Sequence, residues 1–165
     1  MVEALVVTSN GAQVRVKNAG PGTVTDAFWV DVYLNPGSAP TGPNQTWQTL
    51  GTRGMAWGVT APILPMASGR VITLTTGDPY YWSSLSSFAT PLPAGVRAYA
   101  QVDSAGRASY GAVLETHEAS GGAYNNIAGP VLSTAGVAGQ SILRHAAADD
   151  GTPAERQNSL PRRQP

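Results

Sequence analysis

The residues Ala27 to Leu34, AFWVDVYL, constrain the fold more than any other stretch of the chain. Phe28, Val30, Val32 and Leu34 alternate with Trp29, Asp31 and Tyr33. A period of two, filled almost wholly by β-branched and aromatic side chains, is the pattern of a strand. The first set suits a core. The second carries two aromatics and a carboxylate, which is unusual for a surface that only meets water. The stretch reads as the central strand of a β-sandwich.

Other strands follow from the same alternation. EALVVT (3–8) and AQVRVK (12–17) flank Ser9-Asn10-Gly11, and Asn-Gly between alternating runs signals a hairpin. Asn18 to Gly22 reads as a turn. RVITLTT (70–76) places Ile72 and Leu74 inward, and VRAYAQVD (96–103) places Val96, Ala98, Ala100 and Val102 inward. The alanines would let a facing sheet with large side chains approach closely. A last strand region is expected from Ala112 through Asn126 to Leu132, with Pro130 indicating an edge or a strand end. Residues 35–65 hold prolines at 36, 40, 43, 62 and 65 and glycines at 37, 42, 51, 54 and 58. Short edge strands are expected there at 47–50 and 56–60, with the apolar residues pinning the loop over the sandwich.

About seven short strands with no clear helix indicate an all-β, antiparallel, immunoglobulin-like β-sandwich with long inserted loops. A closed barrel is the alternative. The sandwich spans residues 1–132. Residues 133–165 read as a disordered or loosely ordered tail, with at most a helical turn or two over 141–148. Its end, PAERQNSLPRRQP, carries almost nothing to bury.

Composition narrows the function. The formal net charge is zero and only 12% of residues are charged, so no basic patch of the kind that binds nucleic acid is expected. Cysteine is absent, which excludes disulfides and thiolate metal sites. No stretch reaches the length of a membrane span. The first strand begins at once, without a basic leader, so the chain reads as a piece cut from a longer exported protein.

Several pieces then line up in order: Asn18-Ala19-Gly20, FWVDVYLN (28–35), LPMASGRVITL (64–74), LPAGVRAYAQVD (92–103), VLETHE (113–118) and Asn125-Asn126. Together they resemble the CARDB domain, a cell-adhesion-related bacterial domain with an immunoglobulin-like fold, over roughly residues 2–132. Glu118 and Asn125 stand further apart than in the family pattern, and the loop over 35–63 is longer. The resemblance implies a non-enzymatic structural or adhesive module of an exported or cell-surface protein, with other surface proteins or glycans as partners.

Three groups of residues merit attention. Asp103, Glu115, Glu118, Asn125 and Asn126 would gather at one end of the sandwich. Oxygen ligands of that kind suit Ca²⁺, and otherwise serve to accept backbone N–H bonds in a tight connection. Trp29, Tyr33 and Tyr99 point away from the core on neighbouring strands. With Tyr80, Tyr81 and Trp82 they would form an aromatic platform for sugar rings or proteins, unless the 35–65 loop lies across that face and buries them. A carbohydrate-binding module is therefore the alternative function. His117, beside Glu115 and Glu118, is the one histidine near other candidate ligands, and neither it nor His145 has a partner at metal-ligand spacing. No G-x-S-x-G stretch or phosphate-binding glycine loop occurs, so no catalytic residue is assigned.

Overall fold

A computed structural model describes residues 1–106, 109–122, 124–135 and 160–161, with the His117 side chain outside that set. Seven strands form two antiparallel sheets. β1 (Val2–Thr8), β2 (Gly11–Lys17) and β5 (Val71–Thr75) make a three-stranded sheet in the order β1-β2-β5. β3 (Phe28–Leu34), β4 (Gly54–Val59), β6 (Arg97–Val102) and β7 (Ile127–Leu132) make a four-stranded sheet in the order β4-β3-β6-β7. Strands that are consecutive in the chain but lie in different sheets give the crossing pattern of an immunoglobulin-like sandwich.

The core lies between the sheets. Val14, Val16, Ile72 and Leu74 face Phe28, Val30, Val32, Leu34, Met55, Trp57 and Val59. Ala98 and Ala100 are fully buried in the same core as Trp57, so small side chains on β6 accompany a large one on β4. Trp57 also ties the sheets together, since its Nε1–H donates to the Thr75 carbonyl at 3.2 Å. Full burial of such a side chain stabilises by about 1.5–3 kcal/mol.

The β1–β2 hairpin forms as expected, but its two-residue tip is Ser9-Asn10, and Gly11 already pairs with Thr8. Gly11 has φ +135°, and a Cβ there would lie 2.5 Å from Thr76 Oγ1. Only glycine fits. The same Thr76 Oγ1 accepts the Ala12 N–H at 2.9 Å, closing the end of the sheet.

Two expected strands are corrected. Residues 47–50 form a single helical turn, α1 (Trp47–Leu50), and only the second loop strand exists, as β4. The reason is tertiary: the Trp47 N–H donates to the Asp31 carboxylate at 2.8 Å, and its ring enters a cluster with Tyr33 and Tyr99. The last strand is shorter than its sequence suggested. β7 covers only 127–132, and a second turn, α2 (Thr116–Ala119), precedes it. There Glu115 and Glu118 form a capping box, which satisfies backbone N–H groups at the start of the turn. Pro130 does lie on an edge strand.

β3 is buried along its whole length, on both sides. The 35–53 connection crosses the outer side of the four-stranded sheet. Residues 80–87 run along the β4 edge: Gly58 N–H donates to Tyr80 O and Trp82 N–H to Ala56 O, both at 2.9 Å, and Gly54 and Ser87 exchange two bonds of 2.8 Å. An edge that would otherwise offer open ladder groups is thereby paired.

The loop layer is fastened by polar bonds as well as by apolar contact. Tyr33 Oη shares its one proton between Gln101 Oε1, at 2.6 Å, and the Gln45 carbonyl. Tyr33→Phe leaves buried acceptors without a donor, and should cost about 1–3 kcal/mol of unfolding free energy, read by urea denaturation. A loss below about 0.5 kcal/mol, the usual range for a surface substitution, would show that this bond does not hold the layer.

Candidate functional site

The outer face of the four-stranded sheet is built from the alternate residues of β3. Asp31 is fully buried there. Its Oδ2 accepts the Trp47 N–H and its Oδ1 accepts the Ser104 hydroxyl at 3.0 Å. Gln101, on β6, donates through Nε2 to the Gly42 carbonyl at 2.8 Å and to Tyr124 Oη at 2.7 Å. These groups connect two strands to the connections before β4 and before β7.

Of the two readings of the aromatic residues, an open platform or burial under the chain's own loops, most of them follow the second. Trp29, Tyr33, Tyr80 and Tyr99 are all buried, while Tyr81 and Trp82 are half-buried. Tyr33 and Tyr99 lie under Trp47 and Leu50. Tyr80 and Tyr81 turn toward the core, where Tyr81 meets Trp57 edge-on at 5.4 Å. Trp29 and Trp82 form a separate pair, also edge-to-face at 5.4 Å. The six residues therefore divide among three clusters, because the loop tryptophan and the β4-edge segment occupy the face that a platform would need to leave open.

One segment that sequence reasoning dismissed also packs here. Leu160 is 8% exposed and joins Trp29 and Ala105 in a small cluster, flanked by Trp82 and Leu85. Trp29 Nε1–H donates to the Pro161 carbonyl at 2.6 Å. The available signal was Gly58: a glycine inside a strand marks close approach of another group. A Cβ at 58 would lie 2.3 Å from Leu160 Cδ1. The proposed helical turn over 141–148, and His145 within it, lie outside the described residues.

The acidic group occupies the opposite kind of environment, at the end of the sandwich where β2 leads into β3 and β6 leads into α2. A cavity of about 490 Å³ opens there, lined by Lys17, Asp26, Phe28, Met66, Asp103 and Glu115 among others. Asp103 has φ +56° and is 2% exposed. Its carboxylate accepts the N–H of Ala112 at 2.8 Å and of Val113 at 2.8 Å, and so holds those two residues against the strand end. Burial pushes its carboxyl up to about 7, against the lowering effect of those N–H groups, and the Glu118 and Glu115 carboxylates push the same way.

Of the expected Ca²⁺ set, then, Asp103, Glu115 and Glu118 are near one another but directed to backbone donors. Asn125 is exposed and lines the cavity. Asn126 is buried, with Oδ1 lacking a hydrogen-bond partner among the described residues. Among the described residues no three carboxylate or histidine side chains converge as a metal site. Of the two readings of this group, the geometry favours the tight connection.

No family model, curated protein or solved structure matches the chain.

The Asp103 carboxyl gives the site a pH signature. Its folded pKa stands above the ordinary 3.8, so between these values the folded state holds a proton that the unfolded state releases. This contribution is full below the unfolded value and is lost as pH rises toward 7. Melting temperature should therefore fall between pH 5 and pH 8 by about 5 °C or more, and Asp103→Asn should flatten the decline. An unchanged slope in that variant would assign the titration elsewhere.

Proposed function

We propose that the chain is a non-catalytic structural and adhesive module of a larger exported or cell-surface bacterial protein, similar in kind to CARDB domains. One observation carries the reading. The carboxylates that acid–base chemistry would require hold backbone instead: Asp31 fastens α1, Asp103 fastens Ala112 and Val113, and Glu115 and Glu118 cap α2. A sandwich whose loops are bonded down in this way is suited to hold a fixed shape between neighbouring domains or against a surface. The partners in this reading are other surface proteins or glycans. Neither nucleic acid nor direct membrane insertion has a part in it, and no described helix is long and apolar enough to cross a membrane.

The carbohydrate-binding alternative loses support from the burial of Trp29, Tyr33, Tyr80 and Tyr99. The two readings separate in one experiment. Beads bearing the protein are tested under flow on protein-coated and glycan-coated surfaces, with free protein as competitor, and the protein is assayed with ester, glycoside and peptide substrates. Retention on protein coats that free protein abolishes, without turnover, is the expected result. Retention confined to glycan coats and lost in Trp82→Ala would favour the carbohydrate reading. Turnover abolished by Asp103→Asn would overturn the non-catalytic one.

A further inference from the structure

On the outer face, Gly58 marks a place where a side chain is accommodated by the absence of another. Gly58 lies inside β4, where glycine weakens a strand and is retained where something approaches closely. A Cβ there would lie 2.3 Å from Leu160 Cδ1 and 2.8 Å from Trp82 Nε1. The walls are Trp29 and Trp82, set edge to face at 5.4 Å, with Ala105, 1% exposed, completing the seat. Next to it, the Trp29 indole N–H donates to the Pro161 carbonyl at 2.6 Å across 132 positions of sequence.

These features match a general mode of peptide recognition. Aromatic-lined grooves take extended, proline-containing segments because proline pre-sets the backbone and so lowers the entropy lost on docking. An indole N–H beside such a groove supplies the single directional bond. Here the seat is sized for one leucine, and the donor reads the carbonyl of the residue after it. Every wall comes from β3, β4 and the connections that follow β5 and β6, and the occupant arrives from the far end of the chain.

We infer that the slot between Trp29, Trp82 and Gly58 is a docking site for a Leu-Pro segment, and that its occupant is this chain's own Leu160-Pro161. The segment acts as a tethered cap. The segment belongs to the same chain as the slot, so its docking is intramolecular and is favoured over docking of the same sequence from solution. The cap therefore stays on in the intact chain. When it is removed, the slot takes the same sequence from solution. The inference is independent of the adhesive reading, since a slot of this kind can bind whether or not beads adhere.

The test uses the full chain and a dye-labelled peptide, NSLPRRQP, corresponding to residues 158–165. Leu160→Asp removes the cap in cis. Anisotropy should then report saturable binding at roughly millimolar or lower peptide, with the unaltered chain binding at least about tenfold more weakly because its slot is mostly filled. A peptide with Ala in place of the leucine should not bind. Adding Gly58→Ala to Leu160→Asp should abolish binding while far-ultraviolet circular dichroism stays native. If Leu160→Asp fails to fold, Leu160→Ala empties the seat without adding a charge and serves the same comparison. A folded, uncapped chain that ignores the peptide would overturn the inference. So would equal binding by the capped and uncapped chains, or binding that survives Gly58→Ala.

Discussion

The Asp31 carboxylate is the group on which the rest of the outer layer depends. It lies in the middle of an apolar strand, fully buried, and it accepts one bond from the Trp47 N–H and one from the Ser104 hydroxyl. Each bond secures a different connection. The first turns α1 down onto the sheet, so that Trp47 covers Tyr33 and Tyr99. The second holds the segment leaving β6, which brings Ala105 beside Trp29. A buried carboxylate carries a large desolvation cost unless it is bonded, and here both oxygens are occupied. Covering the face and satisfying the carboxylate are one structural event.

This makes β3 a strand with a core on each side. Toward the opposite sheet it contributes Phe28, Val30, Val32 and Leu34; toward the loops it contributes Trp29 and Tyr33. The sandwich has in effect a third layer made of irregular chain. That layer pairs with the β4 edge and is bonded to Gln101 and Tyr33 from beneath. Long loops in compact domains usually have a task, and here the first task is to close a sheet face that would otherwise expose several aromatic rings. Among the described residues a cavity beside Asp103 is open at one end of the sandwich, while the seat beside Gly58 is filled by the chain's own Leu160.

The sequence made the strands legible where one face alone determined the pattern. β2, β3, β5 and β6 follow the alternation of Val14 and Val16, of Phe28 to Leu34, of Ile72 and Leu74, and of Ala98 to Val102. α1 was not legible, because WQTL has no helical signature of its own. Its turn is fixed by a carboxylate sixteen positions earlier and by the burial of one indole. The stretch from Ala112 to Asn126 looked like strand because its apolar residues recur, yet Val113 and Leu114 line the end cavity. Leu160 was the least legible of all. It is an isolated apolar residue between Ser159 and Pro161 in a polar stretch, and its seat is made by a missing side chain at position 58. The acidic residues lie near one another at one end of the sandwich, while their hydrogen-bond partners are set by backbone that only the folded loops place.

The central claim is that the chain's own loops close the outer face of the four-stranded sheet. Tryptophan emission with acrylamide quenching tests it most directly, because three of the four indoles belong to that face: Trp29 and Trp47 are buried there and Trp82 is half-buried, while Trp57 is buried between the sheets. The account predicts blue-shifted emission with a mostly protected population, and greater quenching in Asp31→Asn as α1 loosens from the sheet. Red-shifted emission that acrylamide quenches readily in the unaltered protein would contradict it, and would mean that the aromatic face stands open to a ligand.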